Sequence, residues 1–535
     1  MRENKQEYSL KKRIILIIIG IFILFMSQVI VSFIPFTIPS KTRLFISAIA
    51  ITLYFLFAKY GKKENITRNV ALLIVLFGGA ACIVKPIQFG LDEETHLSNT
   101  IQLADGNLIS QSIKNKDVTN TNQPDYLAVY KYDALRNPNA KETGKNIDPQ
   151  FFSEKHYPSQ YTSKFSGISN FAYIPNALGW DIGRLISNKI FVSYYLGRFF
   201  NVLAYALLVL IAFRISRYYK GALYIIAAFP ATLWIVAGYS YDYLYYGLSL
   251  ILIAMFTNFI AERKITRKQI VQFIGTSTLF IFPKFPFVLV GILALLLPKS
   301  YYKDKKDRIY GLILYTVSGF LSLLWYMNST IIGKIFHSVN SSNSSSTENT
   351  FGITYFIHHP LPMIRTFFSF SLTSLGSYFG INISHPSPPS PLQYTTNGSD
   401  FLITTIPVLM VFLMVILTFN LEFSIPKYFN WIFLVLLIII SCLIIYAVSG
   451  DSRLAFDANS LFVRGSQSRY FYFFFLIVPL LLSGPIKSLL KMKSLEISEN
   501  EIVSNRISNL IQYIIVFLNI LVLGVALYTL LVYHL

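Results

Sequence analysis

The sequence predicts an all-α polytopic membrane protein with about 11–13 transmembrane helices. Three observations lead there. The 535-residue chain is 54% hydrophobic and only 13% charged, whereas a soluble protein of this size carries roughly 25% charged residues. Its apolar residues come in blocks of about 20, enough to cross a ~30 Å hydrocarbon layer. Its lysines and arginines gather in short stretches that alternate with basic-poor connections, the pattern that the positive-inside rule gives cytoplasmic loops. A transmembrane barrel would instead show alternating segments of ~10 residues, and none is present.

Taken in order, the first apolar run is Ile14–Ile34, preceded by Lys11-Lys12-Arg13. It is too long for a signal peptide and has no small-residue cleavage site, so it is expected to be the first membrane helix. Leu44–Ala58 and Val70–Val84 follow. A central group comprises Phe191–Phe213, Ala222–Ala237, Leu244–Ala261, Ile270–Phe282, Phe287–Leu297 and Ile309–Met327. Pro283-Lys284-Phe285-Pro286 splits two of these, giving either an up-and-down pair of short helices or a broken pair lining a cavity. Phe401–Phe419, Trp431–Val448, Tyr470–Leu482 and Ile511–Leu531 complete the set, and the amphipathic Met363–Phe379 is expected to lie on the surface or re-enter.

The basic stretches 2–13, 59–68, 214–220, 263–268, 299–308 and 487–506 are expected in the cytoplasm, with the N-terminus. They account for most of the formal net charge of +20, so nucleic acid is not implied. Counting spans then puts 85–190, 328–400 and 449–469 outside. The organisation is N-terminal membrane helices (1–85), an extracytoplasmic loop with an acidic motif (86–190), central membrane helices (191–330), a second extracytoplasmic loop (331–400) and C-terminal membrane helices (401–535). The first loop is too long for a passive connection; it carries short aromatic runs and an amphipathic Ala177–Ile186. Asn340–Asn349 reads as a loop tip and Ser387–Pro391 as a proline-rich turn. Cys82 and Cys442 both sit in apolar segments, which implies neither a disulfide framework nor zinc. The Lys, Ile and Asn richness is the coding bias expected of a low-G+C genome, and a bacterial source is the expectation.

The stretch Asp92-Glu93-Glu94-Thr95-His96 heads the first outer loop. At ~100° per residue, Asp92, His96 and Asn99 fall on one side of a helix, and Leu97, Ile101, Ala104 and Leu108 on another. The apolar side is expected to press on the membrane domain and turn Asp92, His96 and Asn99 into a cavity; Gly106 is the expected stop. The competing reading makes Asp92 an N-cap and the acids complements of the helix dipole. Other ionisable residues near the outer rim are Asp242, Lys284, Arg464 and Arg469, and Arg198 lies within a span. Each has a structural alternative: an N-cap for Asp242, snorkelling for Lys284, an ion pair for the arginines. Arginine forks suit phosphate oxygens, and a carboxylate can take a proton from an acceptor hydroxyl. The set suits a sugar on a lipid phosphate. A divalent cation, Mg²⁺ or Mn²⁺, held by Asp92 and His96 is the conceivable cofactor.

At these residues the sequence resembles a group of multi-span bacterial membrane proteins related to the GT-C superfamily of polyprenyl-phosphate-sugar-dependent glycosyltransferases. Asp92-Glu93-Glu94-Thr95-His96 with Gln102–Ile109 is similar to the first outer-loop motif. Tyr173–Gly179 with Gly183-Arg184-Leu185, and Leu196–Asn201, are similar to the next two. Tyr239–Asp242 lacks the usual proline of the fourth, and Gly465–Phe471 carries Ser468 where the last motif usually has glycine. The resemblance implies a GT-C-like helical domain whose first outer loop supplies the catalytic base. That maps to Asp92, with Glu93 as the alternative, supported by Glu94, His96, Asn99 and Asp242; Arg198, Lys284, Arg464 and Arg469 become the donor-phosphate candidates. The expected partners are a polyprenyl-phosphate-linked sugar, an envelope glycan or lipid-linked acceptor, and membrane lipid. The expected location is the bacterial plasma membrane with the site facing outside. The rival readings are a polysaccharide polymerase or ligase, a lipid-linked glycan flippase, and a non-enzymatic envelope scaffold.

Overall fold

The computed structural model describes residues 10–31, 40–89, 92–106, 124–132, 149–157, 170–337, 360–361, 364–365, 409, 412–418, 423, 425–449, 468–489 and 501–532. The expected features at Asn340–Asn349 and Ser387–Pro391, most of Met363–Phe379 and Phe401–Phe419, and Leu108 and Arg464 lie outside them. Among the described residues the architecture is helical, with two isolated backbone bridges and no sheet. Five helices among the described residues are long and apolar enough to cross a membrane: Ile66–Val84, Ile190–Ile215, Asp242–Glu262, Lys305–Trp325 and Arg506–Tyr528.

The chain opens with α1 (Leu10–Val31), α2 (Lys41–Phe57) and α3 (Ile66–Val84). α1 packs on α2 and on the C-terminal Glu501–Val532 helix, and it leaves Ile14, Ile18, Phe22 and Phe25 exposed, as a lipid-facing helix would. Polar glue joins α3 to the C-terminal helix: the Asn69 amide donates to Gln512 Oε1 at 2.7 Å and to the Lys59 carbonyl. The long insert contributes α4 (Glu93–Ala104), α5 (Pro124–Tyr130) and α6 (Ile174–Ile186), and then the chain enters α7 (Ile190–Ile215).

α6 and α7 approach at backbone contact. A methyl at Gly179 would collide with the Leu196 carbonyl and one at Gly183 with the Ser193 backbone, so only glycine permits this crossing. Asn176 reinforces it by donating to the Gly197 carbonyl at 3.0 Å. The opposite side of α6 is apolar and uncovered: Ile174, Leu178, Leu185 and Ile186 are exposed, Leu185 by 86%.

The expected single span Ala222–Ala237 is two short helices, α8 (Lys220–Ala227) and α9 (Pro230–Val236). Pro230 has no N–H to continue the ladder and holds Phe229 extended. The carbonyls so released are met by neighbours: Ile226 by Thr232, Ala227 by Tyr205 and Ala228 by Asn519. α10 (Asp242–Glu262) is the central helix, buried from Tyr245 to Ile260 on all sides, consistent with its apolar circumference. α11 (Arg267–Thr278), two short 3₁₀ turns at Leu279–Ile281 and Phe285–Gly291, and α12 (Ile292–Leu295) realise the proline-split pair as broken helices. α13 (Lys305–His337) lies at the periphery, with Ile309, Ile313 and Phe320 exposed.

The apolar side of α4 does not press on the membrane helices as expected. Leu97 and Ile101 join a separate small core with Tyr126, Phe151, Trp180 and Tyr194. The insert thus has an aromatic core of its own, seated on the start of α7, and α4 is held by that core. Gly106, at φ +83, follows the helix end, as the glycine signal indicates.

Candidate functional site

The turn from α3 into α4 is strained at two non-glycine residues. Gln88 and Asp92 take left-handed backbone conformations, φ +56 and +53, which are uncommon outside glycine and concentrate at functional sites. Asp92 stands at the N-cap position of α4, but its side chain makes no capping hydrogen bond, so the N-cap reading does not describe it. The left-handed turn sends consecutive acids to two different clusters.

Glu93 goes inward. Both its carboxylate and the Arg198 guanidinium are wholly buried. Arg198 Nε donates to Glu93 Oε1 at 2.8 Å and Nη2 to Oε2 at 3.0 Å, a bidentate fork. Arg198 also donates to the carbonyls of Cys82, Lys85 and Pro86, at 2.7 to 2.9 Å. A guanidinium has five N–H donors, and these five contacts use them all. The Tyr239 N–H donates to Glu93 Oε1 at 3.1 Å, and Lys85 Nζ lies 3.8 Å from Oε2 while donating to the Trp234 carbonyl. Burial pushes the Glu93 carboxyl up, but Arg198 and Lys85 outweigh it and hold it below the ordinary carboxylate range. Burial pulls the Lys85 ammonium down to about 8. The expectations of Glu93 as an alternative base and Arg198 as a phosphate ligand both give way here. The two are each other's partner, wholly buried, with every N–H of Arg198 engaged.

Asp92 goes the other way. Its side chain is 46% exposed, and Oδ2 lies 3.3 Å from Nη2 of the buried Arg469. Arg469 Nη1 reaches Asp242 Oδ2 at 3.0 Å, and Lys284 Nζ reaches Asp242 Oδ1 at 3.4 Å. Asp242 is wholly buried at the first residue of α10 and is not its cap; Tyr241 holds that position, and Ser240 and Asp242 exchange hydrogen bonds of 2.9 Å. Asn201 supports this turn by donating to the carbonyls of Val236 and Gly238. Lys284 does not snorkel. The two prolines hold it at the break between the 3₁₀ turns, where it lies 3.8 Å from the Tyr470 ring centroid and near the rings of Tyr241 and Tyr245. Tyr245 in turn fixes the segment carrying Arg469, donating to the Tyr470 carbonyl at 2.7 Å.

His96 and Asn99 meet on one partner. His96 Nδ1 is 2.6 Å from the Tyr173 hydroxyl, and Asn99 hydrogen-bonds the same group. Burial lowers the imidazole to about 4, so it is neutral at physiological pH. Its Nε2 is buried with no hydrogen-bond partner among the described residues. His96 interacts electrostatically with Asp92, Arg469, Asp242 and Lys284, which places it in their cluster. Glu94 is half-buried.

Residues 73–478, most of the chain, match the family described as predicted membrane protein (DUF2142). The chain belongs to the DUF2142 family. The match takes in Lys85, Asp92, Glu93, Arg198, Asp242, Lys284 and Arg469, hence both clusters. No curated protein and no solved structure matches the chain significantly.

Among the described residues, Asp92 and His96, the pair expected to hold a divalent cation, lie in a cluster whose carboxylates already face cations. Arg469 and Lys284 already balance the carboxylates of Asp92 and Asp242, and among the described residues no three of His, Cys, Asp and Glu gather to hold a metal. A further polar set joins the insert to the bundle: His156 lies 2.7 Å from Asp125 Oδ2 through Nδ1 and 2.9 Å from Ser193 Oγ through Nε2. Its order is that of an acid–base–nucleophile relay, but Ser193 is wholly buried against Gly183 and Asp125 also accepts from Arg184. Arg184 pairs with Asp105 as well. The set fastens three stretches of the insert to α6 and α7.

Lys85 is not among the site residues the sequence points to, and the tyrosines 173, 239, 241 and 470 enter there only as members of the quoted motifs. Lys85 had a signal: it ends an apolar run on the side where basic residues are sparse.

Proposed function

We propose that the chain is a membrane glycosyltransferase of GT-C type, working on the outer face of the bacterial plasma membrane. It moves a sugar from a polyprenyl-phosphate donor to an envelope glycan or a lipid-linked acceptor. One observation carries this reading: a half-exposed carboxylate, Asp92, stands over a buried Arg469–Asp242–Lys284 set. In an inverting transfer the acceptor oxygen bonds to the anomeric carbon as its bond to the donor phosphate oxygen breaks. Asp92 takes the hydroxyl proton, and Arg469 and Lys284 receive the negative charge of the departing phosphate. The neutral His96 and Tyr173 line the same cluster and can hydrogen-bond sugar hydroxyls. The outward orientation rests on the alternation of basic loops.

The test pairs two variants. Asp92→Asn abolishes envelope glycan modification while leaving the protein folded and in the membrane, and Thr95→Cys, on the exposed side of α4, reacts with a membrane-impermeant maleimide added to whole cells. Unchanged glycan in a well-expressed Asp92→Asn strain removes the assigned base, and labelling only after lysis removes the orientation. A polymerase or ligase reading is favoured by one feature, the position of Arg469 between the two acids; it prevails if Arg469 is essential and Asp92 dispensable.

A further inference from the structure

The two arginines of the site present the same edge to an acid and fill it differently. Nε and Nη2 of a guanidinium form one side, shaped for two parallel hydrogen bonds to an oxyanion. In Arg198 that side is complete, with both carboxylate oxygens of Glu93 at 2.8 and 3.0 Å. In Arg469 it is half-used. Nη2 meets Asp92 at 3.3 Å, Nη1 is committed to Asp242, and Nε is buried with no hydrogen-bond partner among the described residues. A buried, unsatisfied charged donor is costly and marks a place where a ligand completes the bonding. The partner on Nη2 is placed for exchange: Asp92 is half in solvent, meets Arg469 through Oδ2 at 3.3 Å, and sits on a left-handed residue.

From this we infer that the Nε–Nη2 side of Arg469 is a phosphate seat for which Asp92 is a resident stand-in. The phosphate of a lipid-phosphate-linked sugar, a diester with two free oxygens, takes both donors and displaces the Asp92 carboxylate, and the monoester left after transfer, which farnesyl phosphate represents, fits the same two donors. Lys284, 3.4 Å from Asp242 on the other side of the same acid, supplies the second cation. Displacement has a consequence for the order of events: Asp92 becomes available to an acceptor hydroxyl only once the phosphate has arrived. Donor binding thereby arms the base, and an acceptor arriving first meets a carboxylate still engaged with Arg469. This deepens the glycosyltransferase reading and rests on it for the role of Asp92, but the exchange itself is a binding event that needs no turnover.

The experiment measures binding of farnesyl phosphate to purified full-length protein in detergent by calorimetry, with inorganic phosphate titrated in parallel. Asp92→Asn, which removes the competing charge and keeps the shape, binds about tenfold more tightly than wild type. Arg469→Lys keeps a positive charge without the two-donor side and binds about tenfold more weakly; its thermal unfolding confirms that it is folded. Tightening seen with inorganic phosphate too supports the exchange with free phosphate as ligand, and tightening confined to farnesyl phosphate supports it with the lipid headgroup. Asp92→Asn binding neither ligand more tightly than wild type overturns the stand-in role, and a folded Arg469→Lys that binds like wild type overturns the seat. Either failure leaves the glycan result on Asp92→Asn as the separate judge of glycosyl transfer.

Discussion

Arg198→Met tests the buried pair most directly. The substitution removes five donors at once and leaves the Glu93 carboxylate, wholly buried, with Lys85 at 3.8 Å as the cation still beside it. Breaking a buried ion pair by removing one partner costs about 3–5 kcal/mol. The carbonyls of Cys82, Lys85 and Pro86 also lose their arginine donor, and a buried group left unsatisfied adds about 1 kcal/mol or more, so the upper end of that range is expected. Glu93→Gln leaves two buried cations facing a neutral amide and should lose about 3 kcal/mol. The double variant Arg198→Met/Glu93→Gln leaves no lone carboxylate, so its loss should fall short of the summed single losses by about 2 kcal/mol. The assay is equilibrium unfolding by SDS in mixed micelles, read by a thiol-reactive dye on the buried Cys82, whose own carbonyl accepts from Arg198. Single variants within about 1 kcal/mol of wild type, or strictly additive losses, would refute a structural role for the pair and return Arg198 to the pool of ligand-binding residues.

Two further outcomes follow from the same geometry. His96 titrates near 4 when folded and near 6.5 when unfolded, so between those values the unfolded chain binds the extra proton. Its contribution is therefore complete above about pH 6.5 and lost as pH falls towards 4, by an amount on the order of 3 kcal/mol; unfolding midpoints of His96→Gln should lack this acid limb, and parallel pH curves for the two proteins would contradict the buried neutral imidazole. Gly179→Ala sets a methyl against the Leu196 carbonyl and 2.9 Å from Gly197 Cα. It should cost about 1–3 kcal/mol, whereas Gly275→Ala on α11, which meets nothing within 4 Å, should be neutral or gain up to about 1 kcal/mol; equal unfolding midpoints for the pair would show that the α6–α7 crossing is not tight.

Composition and the spacing of basic loops were enough to read a helical membrane protein, and costly charges near span ends pointed to Asp92, Asp242, Lys284 and Arg469. The sequence could not separate Asp92 from Glu93. Their divergence depends on a left-handed backbone at Asp92, which aspartate tolerates but does not announce. The partner of Arg198 was hidden for another reason: Glu93 lies 105 residues away, and no local pattern encodes a pairing across that distance. Pro230 did announce its break, yet the continuous apolar run around it read as one span. The packing of α4 was misread because the core that receives it, Tyr126, Phe151 and Trp180, is scattered through the insert without periodicity.

The left-handed turn at Asp92 also limits what can stand there. Asparagine and glycine adopt that conformation at little cost; glutamate, although chemically closest, fits it poorly and would carry its charge one methylene further. Positions 92 and 93 therefore cannot trade duties. The accessible path away from aspartate runs through Asn or Gly, changes that erase the acid while keeping the scaffold. Loss of the carboxylate that we propose as the base and loss of the fold are thus separable in this architecture, and a single-codon change at position 92 can bring about the first without the second.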